Sequence, residues 1–179
     1  MVLPRDYTGQ RCSMARALEV VGERWSLLVV RDAFFGVRRF SDFARHLGIP
    51  RAVLAERLAL LVTEGVLAPV PGPGRRSEYA LTDKGLALWP VLRALVEWGD
   101  AHYAPGGPPR VFTHVGCGGG VDPAGGCTRC GAPVPVTETV TAPGPGYGGP
   151  GPDPVGAALS EPRPLLRPLP GHERRSDTA

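Results

Sequence analysis

GVRRFSDFARHLGIPRAVLAERLALLVTEGVLAPVPGPGRRSEYALTDKG, residues 36–85, is the stretch whose reading decides the fold. Ser41 to Leu47 reads as a short helix, and the Ser41 hydroxyl is a candidate N-cap for the free backbone N–H groups there. Gly48-Ile49 is a turn, and Pro50 to Glu64 reads as a second helix. A proline in the first turn gives up only an N–H that has no helical partner. Leu54, Leu58 and Leu61 recur at spacings of four and three, which makes one apolar face. Opposite them lie Ala52, Ala55, Glu56, Ala59 and Thr63, with Arg51 at the leading edge. After Gly65, two extended runs, 66–70 and 77–81, flank Pro71-Gly72-Pro73-Gly74 and the pair Arg75-Arg76. Helix, turn, helix and a hairpin with a basic tip is the winged helix-turn-helix plan. Its second helix is shaped to enter the major groove of DNA. The small outward side chains suit close approach to a groove, although alanines are also simply good helix formers.

Working outward, Met14, Leu18 and Val21 mark one face of a helix that Gly22 interrupts, and Trp25 to about Gly36 carries another. Thr82-Asp83 opens a long helix to about Tyr103, with Leu88, Val91, Leu92, Leu95 and Trp98 as its apolar stripe. Pro90 bends that helix unless it starts near Trp89. The end helices exceed what the three-helix core covers. Their stripes therefore imply a second copy related by a two-fold axis, or packing on each other within one chain. The fold class is mainly α with a small β-hairpin wing.

Arg38, Arg39, Arg45, Arg51, Arg57, Arg75 and Arg76 face only Asp42, Glu56 and Glu64 within residues 36–76, while the whole chain carries +3. The positive charge is thus local, which fits a polyanionic partner; a solvated basic surface is the bland alternative. Arg38, Arg39, Arg75 and Arg76 are candidates for DNA phosphates, and Arg51 for a guanine edge. Glu56 could accept from cytosine or pair with a neighbouring arginine. Arg57 lies toward the buried side, as a phosphate contact or a brace. Ser41, Ala52 and Ala55 complete the candidate DNA-facing set.

Downstream, His114-Val-Gly-Cys117-Gly and Cys127-Thr-Arg-Cys130-Gly share one shape: ligand, two residues, Cys, Gly. His114, Cys117, Cys127 and Cys130 form a Cys₃His set suited to structural zinc, with no open position for catalysis. A degenerate ribbon without metal, or a redox pair of thiols, remains an alternative. Residues 143–179 hold nine prolines and seven glycines, a composition that implies a disordered tail. The organisation read is an arm (1–11), a winged domain (12–104), a Cys/His segment (105–142) and the tail (143–179). No leader peptide or membrane span is apparent, so a cytoplasmic protein is expected. No Ser/His/Asp set, phosphate-cradling glycine loop or paired acid cluster stands in a recognisable context, so no enzyme is expected. A winged-helix protein-interaction adaptor is the alternative function.

The segments CSMARALEVVGERWSLLVVRDAFFG, RRFSDF, LAERLALLVTEGVL, EYALTDKG and LWPVLRALVEWGDAH, in this order between Cys12 and His102, resemble the HxlR family of bacterial transcription regulators. The resemblance implies a winged-helix, cytoplasmic homodimer joined through its terminal helices. It also implies a small-molecule or oxidant effector, with Cys12 at a place where some members carry a sensing cysteine. Pro50 and Pro69 depart from the family pattern, as does the short wing.

Overall fold

Residues 7, 9–72 and 77–170 are described by the structure, a computed structural model. Arg75 and Arg76, most of the N-terminal arm, and residues 171–179 of the expected tail lie outside the described residues.

Two helices, α1 (Ser13–Val21) and α2 (Ser26–Phe34), precede the helix-turn-helix pair α3 (Phe40–Leu47) and α4 (Arg51–Thr63). Gly48 closes α3 at φ 60°, the left-handed conformation that a residue without Cβ adopts at no steric cost. Both helix starts are shifted from the sequence reading. Arg39 is the N-cap of α3, with no side-chain cap, and Ser41 lies inside the first turn with its hydroxyl 3.4 Å from Asp42 Oδ1. Pro50 is the N-cap of α4 at φ −57° and ψ 134°, so the extended conformation that ends the turn is built into the ring.

The wing is a two-stranded antiparallel hairpin, β1 (Leu67–Pro71) and β2 (Ser77–Leu81), with Leu67 opposite Leu81 and Pro71 opposite Ser77. The Tyr79 N–H donates to the Arg38 carbonyl at 2.8 Å, so β2 also holds the chain entering α3. The expected single C-terminal helix is two. Thr82 caps a short turn, α5 (Asp83–Leu86), by accepting from the Gly85 N–H, and α6 (Trp89–Tyr103) follows with Pro90 in its first turn. The break removes any need for a bend, because Pro90 sits where its missing N–H has no helical partner.

Val29, Val30 and Phe34 of α2, Phe43 of α3 and Leu54, Leu58 and Leu61 of α4 are sealed from solvent. The terminal helices are not covered in this way. Met14 is 70% exposed and Trp98 56%, with Val91, Leu95 and Tyr103 also exposed.

The second half contains more structure than the sequence promised. β3 (Arg110–His114), β4 (Thr139–Pro143) and β5 (Arg163–Pro164) form an antiparallel sheet in that order. Phe112 of β3 meets Trp89 edge-on at 5.4 Å, and Trp89 meets Phe34 at 5.1 Å, so the sheet joins the helical core through a chain of rings. The expected disordered tail is not what residues 143–170 form. Asp153 caps α7 (Pro154–Ala158), and Val155, Leu159, Leu165 and Leu169 are buried. The Leu166 N–H donates to the Phe34 carbonyl at 2.7 Å and the Leu169 N–H to Gly36 at 3.2 Å. Composition misled because prolines, with φ already fixed, lose little entropy on ordering, and a few leucines at the right places suffice to anchor them. His46 is also drawn in. Its Nδ1 lies 3.2 Å from Asp153 Oδ1 and its Nε2 3.9 Å from the buried Asp32.

Leu165→Ala should lower stability by about 2–5 kcal/mol, the usual cost of emptying a packed leucine site. Urea unfolding measures it, and an unchanged midpoint would mean that this segment packs on nothing.

Candidate nucleic-acid interface and metal centre

The α4 stripe Leu54-Leu58-Leu61 faces inward, which turns Arg51, Ala52, Ala55 and Glu56 to solvent as read from the sequence. Arg51 is held at the start of α4 by the Phe40 ring, with its guanidinium 5.1 Å from the ring centre. Arg57 turns back instead, 3.6 Å from Glu23 and 3.5 Å from Glu56, and braces α4 against the turn ahead of α2. Arg39 is likewise engaged within the fold. Its Nε donates to Glu78 Oε1 at 3.0 Å, and Glu78, on β2, is only 3% exposed. The pair ties the start of α3 to the wing. Arg38 is half-buried and Ser41 exposed. Arg45, exposed in the last turn of α3, is a cation the sequence reading counted without assigning it a role.

The metal-ligand candidates converge. One ligand atom from each of His114, Cys117, Cys127 and Cys130 lies within 4.8 Å of all the others, a group that could hold a metal ion. His114 Nδ1 is 3.5 Å from both Cys117 Sγ and Cys130 Sγ, and the Cys117 and Cys127 sulfurs are 3.3 Å apart. Zinc–sulfur bonds of about 2.3 Å in a tetrahedron give edges of roughly 3.5–3.8 Å, so the donor set fits zinc in kind and nearly in spacing. Both knuckles are built alike. The Gly118 N–H donates to the His114 carbonyl and the Gly131 N–H to Cys127, with the two glycines at φ 68° and 72°. Sequence spacing anticipated those glycines. It did not anticipate Glu138, whose carboxylate lies 3.2 Å from His114 Nε2 and turns Nδ1 toward the sulfurs. Glu138 stands on the return strand side of the sheet, outside any local motif, so only the fold brings it there. Backbone N–H groups of Cys130 and Arg129 aimed at the Cys127 sulfur pull its pKa to about 6, the direction a thiolate ligand needs. Cys12 is elsewhere, exposed at the N-cap of α1.

Residues 20–106 match the family model of the HxlR-like helix-turn-helix. An HTH-type transcriptional regulator of Mycobacterium tuberculosis strain H37Rv, itself uncharacterised, is 48% identical over 125 residues, which span 68% of this chain and 79% of that protein. The chain belongs to the HxlR-like helix-turn-helix family. YodB, an HTH-type transcriptional regulator of Bacillus subtilis, is 30% identical to this HxlR-like chain over 96 residues, 52% of this chain and 86% of YodB. The crystal structure of PA1607, described as a transcription factor, is similar with a TM-score of 0.54 and 41% identity, over 72% of this chain and 83% of that one. The Cys₃His cluster and the β3–β4–β5 sheet lie beyond the matched HxlR-like region. Among the described residues, no helix is long and apolar enough to cross a membrane.

A double-mutant cycle of Arg39→Ala with Glu78→Gln should give a coupling of about 1–2 kcal/mol in unfolding free energy. Additive effects would show that the Arg39–Glu78 pair does not hold the wing to α3.

Proposed function

We propose that this HxlR-like protein is a sequence-specific DNA-binding transcriptional regulator, without catalytic activity and cytoplasmic, that reads a two-fold site as a homodimer with α4 in the major groove. The observation that carries the reading is the solvent-facing side of α4: small residues Ala52 and Ala55, with Arg51 stacked in place at the leading end. A guanidinium held there suits guanine O6 and N7. Arg38 just ahead of α3 and Ser41 in its first turn are phosphate contacts, and Arg75 and Arg76, outside the described residues, are two further candidates. Arg39 and Arg57 act through position, holding wing and α4 in place.

The homodimer reading rests on apolar side chains left bare at both ends. Met14 and Leu18 on α1, and Val91, Leu95 and Trp98 on α6, are exposed at helical spacings. Covering them with the same surfaces of a second copy would set two α4 helices about a two-fold axis. Residues 12–104 are then the reading and pairing unit, and 105–142 with the segment behind it a second unit fixed on its flank. In that unit His114, Cys117, Cys127 and Cys130 hold structural zinc, which cross-links the loop between β3 and β4. Cys12, exposed at a helix N-cap, is the residue placed to meet an oxidant effector.

Binding to duplexes from the upstream region of its own gene should weaken steeply with salt. Arg51→Ala should cost roughly tenfold on the specific site and little on random duplex. Arg38→Ala should weaken both alike and lower the salt slope by about one. Trp98→Glu should shift the protein to single subunits in sedimentation. Equal losses on specific and random duplexes for both arginine variants would end the assignment of Arg51 as base reader.

Protein purified without chelator should contain close to one zinc per chain by atomic emission. Cys130→Ser should abolish it, and Glu138→Gln should weaken zinc affinity by about tenfold, the usual cost of losing a carboxylate behind a ligating histidine. Metal-free protein with three freely titrating thiols in residues 114–130 would refute the zinc assignment.

A further inference from the structure

A cavity of about 430 Å³ lies between the end of α2, the middle of α6 and the β3–β5 unit. Phe35, Val96, Phe112 and Leu159 give it apolar walls, and Arg31 and Arg110 put two guanidiniums at its edge. These two cations are not equivalent. Arg31 is committed to Asp32, with Nη2 2.8 Å from Oδ1. Arg110 pairs with no carboxylate among the described residues; one of its N–H groups donates to the Leu159 carbonyl. Its guanidinium sits 5.0 Å from the Tyr147 ring centre and 5.9 Å from that of Phe35. Burial pushes Arg110 below its ordinary value; Tyr147 offsets part of that, and Arg31 adds to it.

The Tyr147 ring lines the same space, with its hydroxyl buried away from it. Here a cation lacking a carboxylate stands at an apolar cavity of ligand size. It takes no part in the α4 face or the Cys/His cluster. The matching ligand brings one anionic, planar acceptor and a flat apolar body. A carboxylate fits the guanidinium fork with two oxygens. Asp100 on the same wall disfavours a dianion: burial pushes its own carboxyl above the usual range, against the pull of Arg93.

We propose that this cavity binds a small aromatic monocarboxylate, with its carboxylate on Arg110 and its ring against Phe35 and Phe112. Phe35 precedes Gly36 and the chain into α3, whereas Arg110 and Tyr147 belong to the flanking unit. A bound acid therefore bridges the DNA-reading half and its flank. That deepens the effector part of the proposed function and rests on it for its consequence, though not for binding itself.

Calorimetry on the full chain tests the site with benzoate, 1-naphthoate, benzamide and inorganic phosphate. The two carboxylates should saturate at one per chain, with benzamide and phosphate at least roughly tenfold weaker. Arg110→Gln should weaken benzoate about tenfold and leave benzamide unchanged. Because Arg110 also holds the Leu159 carbonyl, Val96→Trp provides a second route: it fills the space without removing a polar group, and should abolish binding with the helical circular dichroism intact. The proposal is overturned if benzoate shows no saturable binding, if benzamide or phosphate equals it, or if folded Val96→Trp binds as the parent does. DNA binding measured alongside separates the two readings. A chain that takes benzoate but ignores every duplex keeps this site and loses the regulator, and the reverse result removes the site alone.

Discussion

The burial of Leu54, Leu58 and Leu61 against Val29, Val30 and Phe34 is the constraint on which the remaining structure depends. A helix is rotated by whichever stripe must leave water. Once these three leucines turn inward, Ala52, Ala55 and Glu56 have no choice of direction, and Arg51 is carried to the leading edge. The solvent-facing side of α4 is thus a consequence of core packing. Its chemistry needs no local signal beyond small side chains that do not obstruct a groove. Phe40 and Gly48 then set the details: one stacks on Arg51, and the other lets the chain reverse tightly enough for α3 to buttress α4.

How much was legible follows from how local each signal is. The leucine stripe, the two strands of the hairpin and the two Cys/His knuckles are short-range patterns, and their elements appear within a residue or two of where spacing put them. Cap positions were less legible. Ser41 has the right chemistry for an N-cap, yet Phe40 is already helical, because burying the ring of Phe43 one turn on fixes the phase of α3. For Arg57 the sequence offered a phosphate contact or a brace, and for Arg39 a phosphate contact, because a count of arginines gives only net charge. The fold shows what spacing does not: Glu78 lies within reach of Arg39 and Glu23 within reach of Arg57.

Residues 143–170 depart furthest from what composition alone implies, for a physical reason. Gly and Pro content measures how little apolar area a segment brings, so it predicts disorder when a segment must build its own core. This segment builds none. It adds Val155, Leu159, Leu165 and Leu169 to a core already formed by α2 and β3, and takes backbone partners at Phe34 and Gly36. Gly36 permits the contact, because a Cβ there, at φ 89°, would strike the Arg167 carbonyl. The requirement is mutual: glycine at the end of α2 and a proline-rich strap over it are one feature, divided between positions more than a hundred residues apart.

The same logic explains why a buried acid stands at the join. Asp32 is sealed from solvent, and burial pushes its carboxyl above the usual range, while Arg31 and then His46 pull it back. His46 in turn reaches Asp153, which also accepts the first N–H groups of α7. Arg31, Asp32, His46 and Asp153 thus form a line of polar side chains from α2 through α3 to the cap of α7. The cap of α7 is therefore tied through His46 to the helix-turn-helix pair. An apolar contact there would have tolerated sliding. The directed contact of His46 with Asp153 holds the start of α7 against α3, beside the cavity that Arg110 borders.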